Sequence, residues 1–245
     1  MSIHETLEYK DVDGNVYAGE LYTPRSTNST KHPGVLIFPA FRGVTQLEMK
    51  RAQILAEEHG YVALVADIYG KEIRFTDIPS ALTVIRPLMS DRSRQFKQRL
   101  DACLNALKSV PSVDSTRIGA FGFCIGGLCS LDIARHQFEG VRAVISLHGT
   151  LSPIEGLALY PLENVCIQVH HGDLDSHVPK TAVDAFHEEM RARNADFVFI
   201  SHGKAMHSFT DPESGRIAPS GVGYDENADN RSWKATLDFL EEAFA

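Results

Sequence analysis

Short apolar runs alternate with stretches of helical spacing along most of this chain. Leu7 to Tyr9 and Val16 to Tyr22 flank Asp13-Gly14-Asn15 and predict an N-terminal hairpin. Gly34 to Phe38 and Tyr61 to Ala66 are uninterrupted apolar runs of the buried, parallel-strand kind. Between them Leu47 to His59 has helical spacing and stops at Gly60, a suitable C-terminal cap. Strand-like runs recur at Ile118 to Phe123, Val141 to Leu147, Val165 to His170 and Phe197 to Ile200. Helical stretches at Asp91 to Val110, Leu128 to Gln137 and Thr181 to Arg193 separate most of them, and Arg231 to Phe244 predicts a last amphipathic helix. This alternation predicts a doubly wound, mostly parallel sheet preceded by a hairpin, with ligands bound beyond the carboxyl ends of the strands.

Two stretches break the pattern. Tyr69 to Ser90 reads as irregular, with Pro79 and Pro87, and is expected to form a small cap. His202 to Asn230 reads as a long connection rich in Gly, Pro and Asp, and long loops of this kind are often functional. No repeat, low-complexity tract or linker is visible, so residues 1–245 are expected to form a single domain.

Charge and composition narrow the function classes. The net charge of −8 argues against a nucleic-acid groove or an anionic membrane surface. No apolar run approaches the ~18 residues of a membrane helix. The first residues lack the basic and apolar regions of a secretion signal, so a cytoplasmic location is expected. Cys103, Cys124, Cys129 and Cys166 show no CxxC spacing and predict neither disulfides nor a zinc knuckle.

One cysteine stands in a reactive setting. An apolar run leads into Gly122-Phe123-Cys124-Ile125-Gly126-Gly127, and a helical stretch follows directly. A strand that reverses sharply into a helix needs small residues on either side of the turning residue, and Gly122 and Gly126 supply them. The helix N-terminus favours a thiolate at that position. The arrangement resembles the nucleophile elbow of α/β-hydrolases, with Cys in place of Ser.

A cysteine nucleophile needs a base, and the base needs an orienting acceptor. Asp173 and Asp175 follow the Val165 to His170 strand, and Asp175 lies in the loop ahead of the helix that Pro179 opens. After the Phe197 to Ile200 strand come His202 and His207; His202 is close enough to the strand to be its polar terminus, which favours His207 as base. His148, just past the Val141 to Leu147 strand, is expected to line the pocket, as is Phe209. The run His170-His171-x-Asp173-x-Asp175-x-His177 invites a metal reading, but a strand followed by a tight turn splays such side chains, so no metal or cofactor is expected.

The pattern as a whole resembles the dienelactone hydrolase family of α/β-hydrolases, through the Gly122 to Gly127 elbow, Gly172-x-x-Asp175-x-x-Val178-Pro179 and His207-Ser208-Phe209. The resemblance implies an α/β-hydrolase fold and a Cys124–His207–Asp175 triad acting on a small-molecule lactone or activated ester. It implies an oxyanion hole from the N–H groups of Ile125 and Phe41. It also sets Arg92 against a carboxylate-binding arginine of the family. Two positions depart from that pattern: Ala40 stands where the family carries a glutamate, and Asp211 follows the histidine where it carries an arginine. Both departures count against dienelactone itself as substrate.

Two other classes compete. Glutamine amidotransferases place Cys on a similar turn but pair it with His-x-Glu, whereas Ser208-Phe209 follows His207. A hydrolase-like protein serving as a redox sensor would keep a reactive thiol without turnover.

Overall fold

The computed structural model describes residues 1–25, 31–75, 77–217 and 221–245. Thr76 and residues 218–220, inside the two stretches that break the sequence pattern, lie outside the described residues. The chain divides into two compact units, Met1–Ala120 with Phe138–Gly140, and Phe121–Gln137 with Val141–Ala245.

The first unit opens with the hairpin β1 (Ser2–Lys10) and β2 (Val16–Pro24), paired from Ser2 with Pro24 to Lys10 with Val16. Asp11 shapes the turn: its carboxylate takes the N–H groups of Asp13 and Asn15 at 3.0 and 2.9 Å. β3 (His32–Phe38) and β4 (Val62–Val65) run parallel, and β2 pairs antiparallel with β4, so the sheet here is mixed. All four β4 side chains are buried, which explains an apolar run without alternation. α1 (Gln46–Glu58) starts on a capping box: the Thr45 hydroxyl accepts from Leu47 N, and Glu48 reaches back to Thr45 N at 2.9 Å. Gly60, at φ +70°, closes it. After β4 the Asp67 carboxylate accepts from the N–H groups of Ala18, Tyr69 and Gly70, and the buried Tyr9 hydroxyl bonds both backbone groups of Asp67.

The stretch expected to be irregular contains a helix, α2 (Ile78–Ser90). Asp77 caps it through Ser80 N, and Pro79 falls in the first turn, where no intrahelical N–H is needed. Pro87 sits inside the last turn, and the helix ends three residues on. The helix expected from Asp91 to Val110 begins as a π-helical turn, Arg92–Phe96, in which Phe96 N–H reaches back to Asp91 O, and continues as α3 (Lys97–Lys108). β5 (Val113–Phe123) starts in this unit, and its last three residues belong to the second.

The second unit holds β6 (Val141–Leu147), β7 (Cys166–Gly172) and β8 (Asp196–His202), all parallel and in that order. Its helices are α4 (Ile125–Arg135), α5 (Lys180–Ala192), the short α6 (Ser214–Ile217) and α7 (Glu226–Phe244). α7 starts five residues before the apolar periodicity does, because Asp225 caps it through Ala228 N at 2.9 Å. A buried ion network ties α4 to α5: Glu189 takes Arg135 at 2.7 and 3.1 Å and Arg193 at 2.9 Å, and Asp132 takes Arg135 at 3.2 Å. The two guanidinium groups also reach the carbonyls of Leu151 and Ala158, which pins the irregular stretch after β6. No described helix is long and apolar enough to cross a membrane.

Candidate active site

β5 ends at Phe123 and α4 begins at Ile125, leaving Cys124 at the reversal with φ +55° and ψ −116°. A non-glycine residue at positive φ persists only where its surroundings hold it. Here its N–H donates to Leu147 O at 3.1 Å and to His148 Nδ1 at 3.2 Å, while its side chain stays partly exposed. Gly127 packs closely under the turn. A Cβ there would lie 2.5 Å from Ser146 Oγ and 2.8 Å from Gly149 Cα, so the helix start and the end of β6 tolerate only glycine.

Two loops bring in the other partners. Asp175 follows β7, and its N–H donates to Gly172 O at 2.9 Å. Its side chain is buried, with Oδ1 accepting the N–H groups of His177 and Val178 at 2.8 and 3.2 Å. His207 follows β8 and is gripped along its backbone by a later segment: its N–H donates to Gly221 O, and Gly223 N–H donates to its carbonyl. Gly172 lets the loops meet, since a Cβ there would sit 2.6 Å from Met206 O and 2.7 Å from Ala205 O.

The imidazole of His207 spans the gap. Its Nε2 lies 3.1 Å from Cys124 Sγ, and its Nδ1 lies 2.8 Å from Asp175 Oδ2. Burial alone would lower its pKa. The charge at Cys124 and the hydrogen bonds to Asp175 and Cys124 outweigh burial and push it up to about 10. Asp175 is held below the usual carboxylate range: burial opposes ionisation, and the His207 hydrogen bond and charge overcome it. These surroundings favour the protonated imidazole between a sulfur and a carboxylate.

The structure separates the sequence candidates in space. Asp173 turns to Ser201 and Asp175 to His207. His202 ends β8 and meets the buried His170 at 3.2 Å rather than the sulfur. His148, expected to line the pocket, is 2% exposed and sits behind the elbow, its Nε2 bonding Thr210 Oγ1 at 2.8 Å. Phe209 is fully buried, packed with Ala205 and Ala228 and edge-on to the His148 ring. Ile125 is the first residue of α4. Phe41 and Arg92 belong to the first unit, Phe41 half-buried in the turn after β3 and Arg92 buried at the π-helical turn. Asp211 caps the short turn that leads into α6 through Glu213 N, a structural duty where the family carries an arginine. One contributor escapes the sequence, Thr210 as partner of His148. Thr210 carries no periodic or compositional signal. The exposed His177, read in sequence only as part of the histidine-rich run, has its ring centroid 4.8 Å from that of His207.

Mixed and parallel strands with flanking helices, and Cys124, Asp175 and His207 following β5, β7 and β8 in that chain order, define an α/β-hydrolase fold. The chain belongs to the dienelactone hydrolase family, whose sequence pattern matches residues 18–244. It is 73% identical over 158 residues to the uncharacterized protein K02A2.1 of Caenorhabditis elegans, a match that covers 64% of this chain and all of that one. It is 25% identical to a probable 2-oxo-3-(5-oxofuran-2-ylidene)propanoate lactonase of a Bradyrhizobium species, over 83% of this chain and 84% of that one. Among solved structures, a dienelactone hydrolase-like promiscuous phosphotriesterase from metagenomic libraries, P91, superposes with a TM-score of 0.91 at 31% identity. That match covers 100% of this chain and 99% of that chain.

Proposed function

We propose that this protein hydrolyses lactones or activated esters of small carboxylic acids, with Cys124 as nucleophile, His207 as general base and acid, and Asp175 as its orienting acceptor. The observation that carries the reading is the placement of His207, with Nε2 3.1 Å from Cys124 Sγ and Nδ1 2.8 Å from Asp175 Oδ2. In this mechanism the sulfur attacks the substrate carbonyl, and His207 protonates the departing oxygen. Water, deprotonated by His207, then cleaves the acyl-thioenzyme. Ile125, at the start of α4, is the proposed backbone donor to the developing oxyanion, and such a donor is typically worth ~3 kcal/mol.

Thiol chemistry narrows the substrates. With an ordinary pKa of about 8.5, a thiolate leaves a tetrahedral intermediate more readily than an alkoxide does, so attack on a plain alkyl ester reverts. Enol lactones, aryl esters and thioesters carry stabilised leaving groups and go forward. The lactonase name of the Bradyrhizobium relative supports the same class. Neither Ala40 nor Asp211 supplies the charge that the namesake enzymes use, which favours a substrate other than dienelactone.

Turnover of p-nitrophenyl acetate, ethyl acetate and an enol lactone by wild type, Cys124→Ala and Cys124→Ser tests the reading. The wild type should favour the activated substrates, and Cys124→Ala should lose at least about 10³-fold in kcat/KM. Equal rates on both acetates, or an active Cys124→Ala protein, would overturn it. Stoichiometric alkylation of Cys124 with hydrolysis untouched would favour a thiol sensor.

A further inference from the structure

We propose that Asp175, His177 and the Nδ1 face of His207 form a binding site for a divalent transition cation, Zn2+ above all, whose occupancy switches the enzyme off. The binding half stands by itself; the inhibitory half rests on the hydrolase reading.

The three groups each offer one ligand atom, and these atoms lie within 4.8 Å of one another. Asp175 Oδ2 is 2.8 Å from His207 Nδ1, and Asp175 Oδ1 is 3.8 Å from His177 Nδ1. Two imidazoles and a carboxylate are a zinc donor set, and a three-ligand site leaves the fourth tetrahedral position to water. Ligand bonds of roughly 2.0–2.2 Å place neighbouring donors roughly 3.3–3.6 Å apart in a tetrahedron, so the Asp175–His207 pair must open from 2.8 Å while His177 draws in from 3.8 Å.

The groups differ in freedom in a way that suits capture. The Asp175 carboxylate is buried and anchored by the N–H groups of His177 and Val178. His207 is gripped on both sides of its backbone by Gly221 and Gly223. The His177 side chain is 44% exposed and is the arm that swings. Two other members of the histidine-rich run are committed elsewhere, His170 to Gln168 and His202, and Asp173 to Ser201.

Binding exchanges a proton for the cation. The lone pair of His207 Nδ1 passes to the metal, and the proton it carried toward Asp175 leaves to solvent; no electron is transferred. The Nε2–H then still faces Cys124 Sγ, but the Nδ1–H bond to Asp175 is gone, so the carboxylate no longer orients the ring or stabilises the imidazolium that the reaction needs.

Isothermal titration with Zn2+ on wild type, Cys124→Ala and His177→Ala, beside turnover with and without a chelator, decides it. Wild type and Cys124→Ala should bind one Zn2+ with similar affinity, and His177→Ala should bind at least about 10-fold more weakly, a change of about 1.4 kcal/mol. Zinc should suppress wild-type turnover, a chelator should restore it, and the turnover of His177→Ala, whatever its zinc-free rate, should be at least about 10-fold less sensitive to zinc than that of wild type. Loss of binding in Cys124→Ala would put the cation on the sulfur and overturn the proposal. So would undiminished binding by His177→Ala, or no binding to the wild type. Should no variant hydrolyse any ester, the titrations still decide the site, separately from the hydrolase reading.

Discussion

His148 Nδ1 accepts the backbone N–H of Cys124 at 3.2 Å, so a buried imidazole stands directly behind the residue at the strand-to-helix reversal. Because that N–H must donate, Nδ1 is unprotonated, and Nε2–H donates to Thr210 Oγ1 at 2.8 Å. Burial, followed by the charge on His207, holds the His148 pKa well below its ordinary value. The two rings lie 5.4 Å apart, and their surroundings push the two pKa values in opposite directions.

Replacing His148 by Phe keeps a ring and deletes both hydrogen bonds. The Thr210 hydroxyl loses its partner in the core, and Cys124 N–H keeps only Leu147 O. A loss on the order of 1–3 kcal/mol in urea unfolding is expected, with a fall in kcat on activated esters larger than any change in KM. Unchanged stability together with unchanged kcat would remove His148 from any positioning role.

Acid should loosen the second unit through its buried histidines. Burial first, and then the neighbouring charge of His202, push His170 down to about 3. A folded-state pKa below the unfolded value of about 6.5 gives stability that is present above pH ~6.5 and lost as pH falls toward the folded value. Each such group steepens the decline by up to about 1.4 kcal/mol per pH unit. Urea unfolding followed from about pH 7 to pH 4 should therefore show a steep loss in wild type and a shallower one in His170→Gln, although that variant starts lower. Parallel curves would contradict the assignment.

The apolar runs mark the strands well, because β3, β4 and β6 bury nearly every side chain and have little competing polar signal. α2 is hidden by its two prolines, which act as breakers only away from a first turn and read the same in sequence wherever they fall. The early start of α7 is hidden because Glu226 to Asn230 are polar and only the Asp225 cap marks the boundary. Cys124, Asp175 and His207 are legible because each sits where a strand ends and chain order restricts the choice. What the sequence withholds are contacts between residues far apart along the chain. Thr210 meets His148 62 positions away, and nothing local to either residue announces it.

The Glu189 network predicts a large cost for a small change. Glu189→Gln removes the charge that faces Arg135 and Arg193, both with side chains only 1% exposed. Breaking a buried pair from one side leaves an uncompensated charge and typically costs about 3–5 kcal/mol. Chemical denaturation should show a loss of that size. A change within about 0.5 kcal/mol, the size expected of a surface substitution, would mean that the network is solvated.

Rapid acid quench of wild type during turnover of p-nitrophenyl acetate, with mass spectrometry of the peptide that carries residue 124, tests the proposed chemistry most directly. An acetyl group on Cys124, formed and lost at rates that match turnover and absent from Cys124→Ala, is the predicted result. Hydrolysis that proceeds at full rate with residue 124 never acylated would contradict it.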